Sequence, residues 1–166
     1  MRKTILTNSF LLFGITLMLI SCDKSQVFDE YHSFQNGWDK KNSVIFNFDQ
    51  EVSKKSMNMF INIRSNNDYE FNNLFLITKL EQPSGLTKVD TLEYEMADSD
   101  GNMLGVGFSD VKESKLWYKE NVKFPEKGKY KISISQAVRK TGKVKGVEKL
   151  KGITEIGIRI ETSQVE

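Results

Sequence analysis

One thiol and one imidazole bound the covalent chemistry open to this chain: Cys22 and His32 are the only cysteine and the only histidine in 166 residues. Cys22 closes the run Leu19-Ile20-Ser21-Cys22, two aliphatic residues and a small one ahead of the thiol. That order matches the bacterial lipobox, in which the sulfur accepts a diacylglyceryl group and cleavage after the small residue, here Ser21, frees the cysteine amine for another acyl chain. Chains worth about 0.8 kcal/mol per buried methylene hold a protein stably at a membrane when more than one is attached. The flanks agree with this reading. Arg2 and Lys3 make a positive start, and residues 10–20 are eleven uncharged positions, FLLFGITLMLI. Such a run suits the apolar core of a secretion signal and falls well short of the roughly 20 residues that span a bilayer. Residues 1–21 therefore read as a signal peptide, 22–26 as an acylated cysteine with a short tether, and 27–166 as a single domain.

The remaining candidates are weaker. A lone imidazole rules out a multi-histidine metal site, and any catalytic triad would have to use His32, which sits in the apolar-polar stretch 27–34 and reads as a structural or surface residue. Asp98, Asp100 and Asn102 place oxygen donors at the first, third and fifth positions of a calcium-type loop. Met103 then stands where glycine belongs and Ser109 where the bidentate glutamate belongs, so a hairpin turn is the simpler reading. Trp38, Trp117 and Tyr118 are the aromatic residues that could stack on sugar rings if a sheet face brought them together, although core packing is the commoner fate of tryptophan. No glycine-rich phosphate loop or nucleophile elbow occurs, and Gly142, Gly146 and Gly152 are spaced through a basic stretch as loop glycines are. With 22 acidic residues, no carboxylate pair is singled out for glycoside cleavage. The chemistry on offer is one covalent lipid, with no cofactor expected besides it.

The elements that position these residues are strands. Alternation of period two puts Val44, Phe46 and Phe48 on one face of 43–49, and Met57, Met59, Ile61 and Ile63 on one face of 57–64. The same pattern recurs with Leu92, Tyr94 and Met96, with Tyr130, Ile132 and Ile134, and with Ile156, Ile158 and Ile160. Residues 74–80 (LFLITKL) are apolar on nearly both faces and are expected centrally in a sheet. Turn-forming clusters at 66–68, 82–85, 98–102 and 125–128 separate the runs, and both prolines fall in turns. The only helical expectation is a turn or two at 109–116. The class predicted is all-β, an antiparallel sandwich of jelly-roll type.

Without the signal, 145 residues remain, enough for one domain that buries roughly 70% of its unfolded surface. With Cys22 acylated no disulfide is available, so stability rests on a hydrophobic core. Loss of Arg2 and Lys3 leaves 22 basic against 22 acidic side chains, a net charge of zero that gives no footing for nucleic-acid binding. The distribution is uneven, with 15 acids and 8 bases in 22–110 against 7 acids and 14 bases in 111–166. Complementary halves of one sandwich, or a basic face for an anionic partner such as lipid headgroups or polysaccharide, would each produce it.

A series of blocks then resembles a known family. Asn67-Asp68-Tyr69 leads into Asn73-Leu74-Phe75-Leu76. Asp90-Thr91-Leu92-Glu93-Tyr94-Glu95-Met96-Ala97-Asp98 comes next, then Leu104-Gly105 with Gly107. Trp117-Tyr118-Lys119-Glu120-Asn121-Val122 follows, with Phe124-Pro125, and then Gly152-Ile153-Thr154-Glu155-Ile156-Gly157-Ile158-Arg159-Ile160-Glu161. In order and spacing, and together with Cys22, these resemble the GldH-type gliding-motility lipoproteins of Bacteroidetes. Glu70 and Met103 stand where that pattern usually has Pro and Trp, a departure that bears on local turns. The resemblance implies a non-enzymatic, membrane-anchored part of the gliding apparatus whose partners are other gliding or associated secretion proteins, with Cys22 as the one functional position carried over. A carbohydrate-binding lipoprotein is the competing expectation from the residues themselves, with polysaccharide as its partner. Which membrane of the cell envelope holds the anchor is left open.

Overall fold

The computed structural model describes residues 25–52, 55–107 and 109–163. Ser21, Cys22 and the whole signal segment lie outside them. The strands are β1 (Gln26–Ser33), β2 (Trp38–Asp39), β3 (Val44–Gln50), β4 (Met57–Ser65), β5 (Asn73–Glu81), β6 (Thr87–Glu95), β7 (Lys112–Val122), β8 (Gly128–Gln136), β9 (Lys149–Leu150) and β10 (Ile153–Thr162). Among the described residues there is no helix.

Two antiparallel four-stranded sheets, β1-β10-β4-β7 and β3-β8-β5-β6, pack face to face, and β2-β9 forms a small two-stranded ribbon. The pairings nest. The β5·β6 hairpin is bracketed by β4·β7, then by β3·β8, then by β1·β10. The chain is in effect one long hairpin rolled into a sandwich, the jelly-roll type that suits the strand count; the order of pairing is not readable from the sequence and is supplied by the structure.

The alternating apolar positions meet between the sheets. Met57, Met59, Ile61 and Ile63 from β4 and Ile156, Ile158 and Ile160 from β10 join Phe46 and Phe48 of β3, Leu74 and Leu76 of β5, and Tyr130, Ile132 and Ile134 of β8 in one buried cluster. Removing this apolar surface from water is the main stabilising term in a domain without disulfides. On the outer face of the first sheet Phe60 and Asn62 are also buried, 5% and 2% exposed. The ring of Trp117 lies 4.4 Å from that of Phe60, and Asn62 Nδ2 donates to Tyr31 Oη at 2.7 Å. Tyr31 in turn lies over Gly157, where a Cβ would come within 2.9 Å of its ring.

One expectation needs correction and one is refined. Residues 112–122 form strand β7, so the helical reading of 109–116 fails. The stretch alternates: Glu113, Lys115 and Trp117 lie opposite the outer-face residues Arg64, Asn62 and Phe60 of β4, whereas Ser114 and Leu116 lie opposite the core residues Ile63 and Ile61. Residues 74–80 do lie between two neighbours, β8 and β6. Only one face is covered, however, and Ile77 is 36% exposed, because the second sheet packs on one side alone.

Ion pairs stitch the acidic and basic portions of the sequence together, as complementary halves would. Lys119 meets Asp90 at 2.8 Å, Lys131 meets Glu81 at 2.7 Å, and Arg159 meets Asp29 at 2.8 Å. Across the outer face Arg64 bridges Glu113 at 2.7 Å and Glu155 at 2.6 Å, tying β4 to both its neighbours.

The rolled topology sorts the connections by length. The links β3–β4, β5–β6 and β7–β8 lie at one end, where Lys127 pairs with Glu51, Ser84 N and Oγ both donate to the Glu126 carboxylate, and Ser163 N donates to Ser56 O. Ser25, the first described residue, is there too, accepting from Thr162 N at 2.8 Å. The links β1–β3, β4–β5, β6–β7 and β8–β10 all fall at the opposite end, and they are the longer ones.

Candidate functional site

The long-loop end holds an open cleft of about 860 Å³ lined by residues from two connections and from the adjoining ends of β5 and β6. Glu70, Phe71 and Asn72 come from the β4–β5 link, Glu93 and Glu95 from the end of β6, and Arg139, Lys140 and Thr141 from the β8–β9 link. Register explains the convergence: Asn73 at the start of β5 pairs with Glu95 at the end of β6, while Leu76 pairs with Gln136 at the end of β8.

The walls are firm. Tyr69 Oη donates to Asn73 O at 2.8 Å, and burial pushes this phenol's pKa well above the ordinary tyrosine value. Asn72 O accepts from both Met96 N and Ala97 N, and the buried Gln136 donates through Nε2 to Val147 O at 2.7 Å. Gly152 is needed at the back of this packing. Its φ is +79°, and a Cβ there would lie 2.1 Å from the Tyr69 nitrogen. Inside the cleft Asn73 Nδ2 donates to Glu93 Oε1 at 2.6 Å, and Lys140 lies 3.3 Å from Glu70. The cleft thus presents glutamates on one side and Arg139 with Lys140 on another, around a half-buried Phe71. This is an arrangement for gripping charged groups of both signs; its one hydroxyl, Thr141, has no histidine beside it.

The possible aromatic platform is not assembled, and core packing, the commoner fate, holds for Trp38 and Tyr118. Trp38 is fully buried at the long-loop end, stacked on Phe34 at 5.1 Å with its indole N–H donating to Asn42 O at 2.9 Å. Tyr118 points inward, 8% exposed, its hydroxyl donating to Asp90 Oδ2 at 3.1 Å. Trp117 alone is open, 56% exposed on the outer face. Successive strand residues point to opposite sides of a sheet, so Trp117 and Tyr118 cannot share one platform. His32 is exposed on β1 and lies edge-on to Phe34, with ring centres 5.0 Å apart.

At 98–102 the chain makes a self-contained turn. Asp98 Oδ1 accepts from the nitrogens of Asp100 and Asn102 at 2.9 and 2.8 Å, and Asp98 Oδ2 accepts from Asn102 Nδ2 at 3.0 Å. These bonds, the Asn102 side chain foremost, hold the Asp98 pKa below the usual carboxylate value. The Asn102 amide therefore aims its N–H at Asp98. Among the described residues no group of three or more His, Cys, Asp or Glu side chains is placed to hold a metal ion.

Sequence reading missed the cleft. Its residues come from segments about 25 and 45 positions apart, joined only by the non-local β5·β6 and β5·β8 pairing, and none carries a motif.

The family model described as GldH lipoprotein matches residues 26–160. The gliding motility lipoprotein GldH of Flavobacterium johnsoniae is 57% identical over 154 residues, covering 93% of this chain and 96% of that one. A protein of Christiangramia forsetii named as a gliding motility lipoprotein GldH homolog is 55% identical over 156 residues, with the same coverage. Among solved structures, the VP2 subviral particle of infectious bursal disease virus aligns with 86% of this chain and 43% of its own at a TM-score of 0.31 and 12% identity.

Proposed function

We propose, since this chain belongs to the GldH lipoprotein family, that it serves gliding motility as a lipid-anchored, non-enzymatic docking part of the cell-envelope machinery. Cys22, behind its signal, supplies the anchor. The long-loop end supplies the contact to protein partners. The observation that carries this reading is the cleft: wide, open and lined by carboxylates and cations together, it suits the mixed charges of a protein surface better than a small substrate, which is usually held in a largely apolar pocket. The carbohydrate alternative loses its support with the dispersal of Trp38, Trp117 and Tyr118.

The test is charge reversal in the cleft. Arg139→Glu with Lys140→Glu breaks an exposed pair with Glu70, worth about 0–1 kcal/mol, and sets two exposed carboxylates near Glu70 where solvent screens them, so the melting temperature and the amount of membrane-bound protein are expected to change little. Gliding of cells that carry only this variant is expected to stop or slow severely. Gliding at the normal rate would remove the cleft from the account.

A further inference from the structure

Near the other end, on the outer face of the first sheet, Trp117 rests on the buried ring of Phe60, and Lys115 lays its ammonium 4.1 Å from the centre of the same ring while pairing with Glu161 at 2.7 Å. Together with Ser25 these residues line an open depression of about 450 Å³. Ser25 is what gives the depression its meaning, because it stands three positions after Cys22. Fully extended, that link spans at most about 10–11 Å. A headgroup layer is about 5–8 Å deep on each side of a hydrocarbon core about 30 Å thick. An acylated sulfur at the edge of the hydrocarbon therefore holds Ser25, and the depression beside it, within the headgroup layer or at most about 2–6 Å above it.

The side chains suit that depth. An indole places its ring against acyl chains and its N–H among headgroups, the reason Trp gathers at membrane interfaces. A lysine ammonium held over an apolar ring, as that of Lys115 is over the ring of Phe60, can turn toward a phosphate. A gap of that size is too narrow for a folded partner protein.

The geometry points to a membrane seat: Trp117 and Lys115, backed by the buried Phe60 ring, rest on the phospholipid headgroups of the membrane that holds Cys22. The jelly roll is thereby set at a fixed tilt with its long-loop cleft facing away. This rests on acylation of Cys22. It assigns Trp117 a role in orienting the domain that neither core packing nor sugar stacking would give it.

The two tryptophans make it testable on the full chain, expressed in a bacterium that matures lipoproteins, purified in detergent and reconstituted into phosphatidylethanolamine–phosphatidylglycerol vesicles. Trp38 is buried and serves as internal reference, and Trp117→Phe keeps a ring on Phe60, so the fold is retained. With brominated acyl chains in the vesicles, the native protein is expected to lose about half its tryptophan emission, the Trp117 share, and the Trp117→Phe protein almost none. The mass of the N-terminal peptide reports the lipid on Cys22 separately. An acylated protein whose emission brominated lipid leaves unchanged would overturn the seat and leave the anchor standing. An unmodified Cys22 in membrane-bound protein would overturn the anchor, and the seat with it.

Discussion

The two ends of the sandwich are built from the same strands and differ in what joins them. At the end near Ser25 the connections are short and bonded to one another, as by the two bonds from Ser84 to Glu126. At the opposite end four longer connections stack into a second layer, with Trp38 buried beneath them and Gly152 pressed against the Tyr69 backbone. The long-loop end is thus tied to the core it extends at Trp38, Tyr69 and Gly152. Length there supplies a shaped surface, and the cleft is its product.

The largest expected difference between the regions is at the tryptophans. Trp38→Ala empties a fully buried site and is expected to cost about 3–5 kcal/mol in a denaturant titration. Trp117→Ala removes a half-exposed ring and is expected to cost about 1 kcal/mol, the order of one aromatic pair. Equal costs would show that the outer face carries as much of the fold as the long-loop layer does. At the glycines a smaller contrast is expected. Both Gly152 and Gly85 have positive φ, but nothing lies within 4 Å of a Cβ at Gly85, in the β5–β6 turn. Gly85→Ala is expected to cost about 1 kcal/mol from conformation alone, whereas Gly152→Ala adds a backbone clash and is expected to cost about 3 kcal/mol or more. Similar melting temperatures for the two variants would mean that the long loops yield easily.

Much of this was legible from alternation alone. The buried faces of β3, β4, β8 and β10 fall where Phe46, Ile61, Ile132 and Ile158 predict, because one side of each strand meets the other sheet. Alternation also held at 112–118, where the helical expectation overlooked Ser114 and Leu116 as inward positions. What it could not supply was which loops meet. Glu70, Glu95 and Arg139 become neighbours only after β5 has paired on both sides, a consequence of topology that no local pattern encodes. The aromatic platform failed for a similar reason, since Trp38 and Tyr118 were grouped by residue type without regard to the sheet face each occupies.

The smallest difference is expected under alkali, where both regions respond through one core. Burial, with the Glu113 hydrogen bond, raises the Tyr31 pKa from 10.0 to about 12, and burial alone raises that of Tyr94 to about 12. Each phenol ionises more readily in the unfolded chain. The stability they contribute is therefore complete below pH 10.0 and lost as pH rises through about 12. Melting temperatures measured across that window are expected to fall as one cooperative transition. Separate transitions would mean that the long-loop layer unfolds on its own.

The central claim is that the end far from the anchor makes the working contact. A photo-crosslinking side chain at Thr141, inside the cleft, can be compared in gliding cells with one at Ile45, exposed on the outer face of the other sheet. A discrete crosslinked product with another protein of the gliding machinery is expected from position 141 and none from position 45. A product from position 45 with none from position 141 would contradict it.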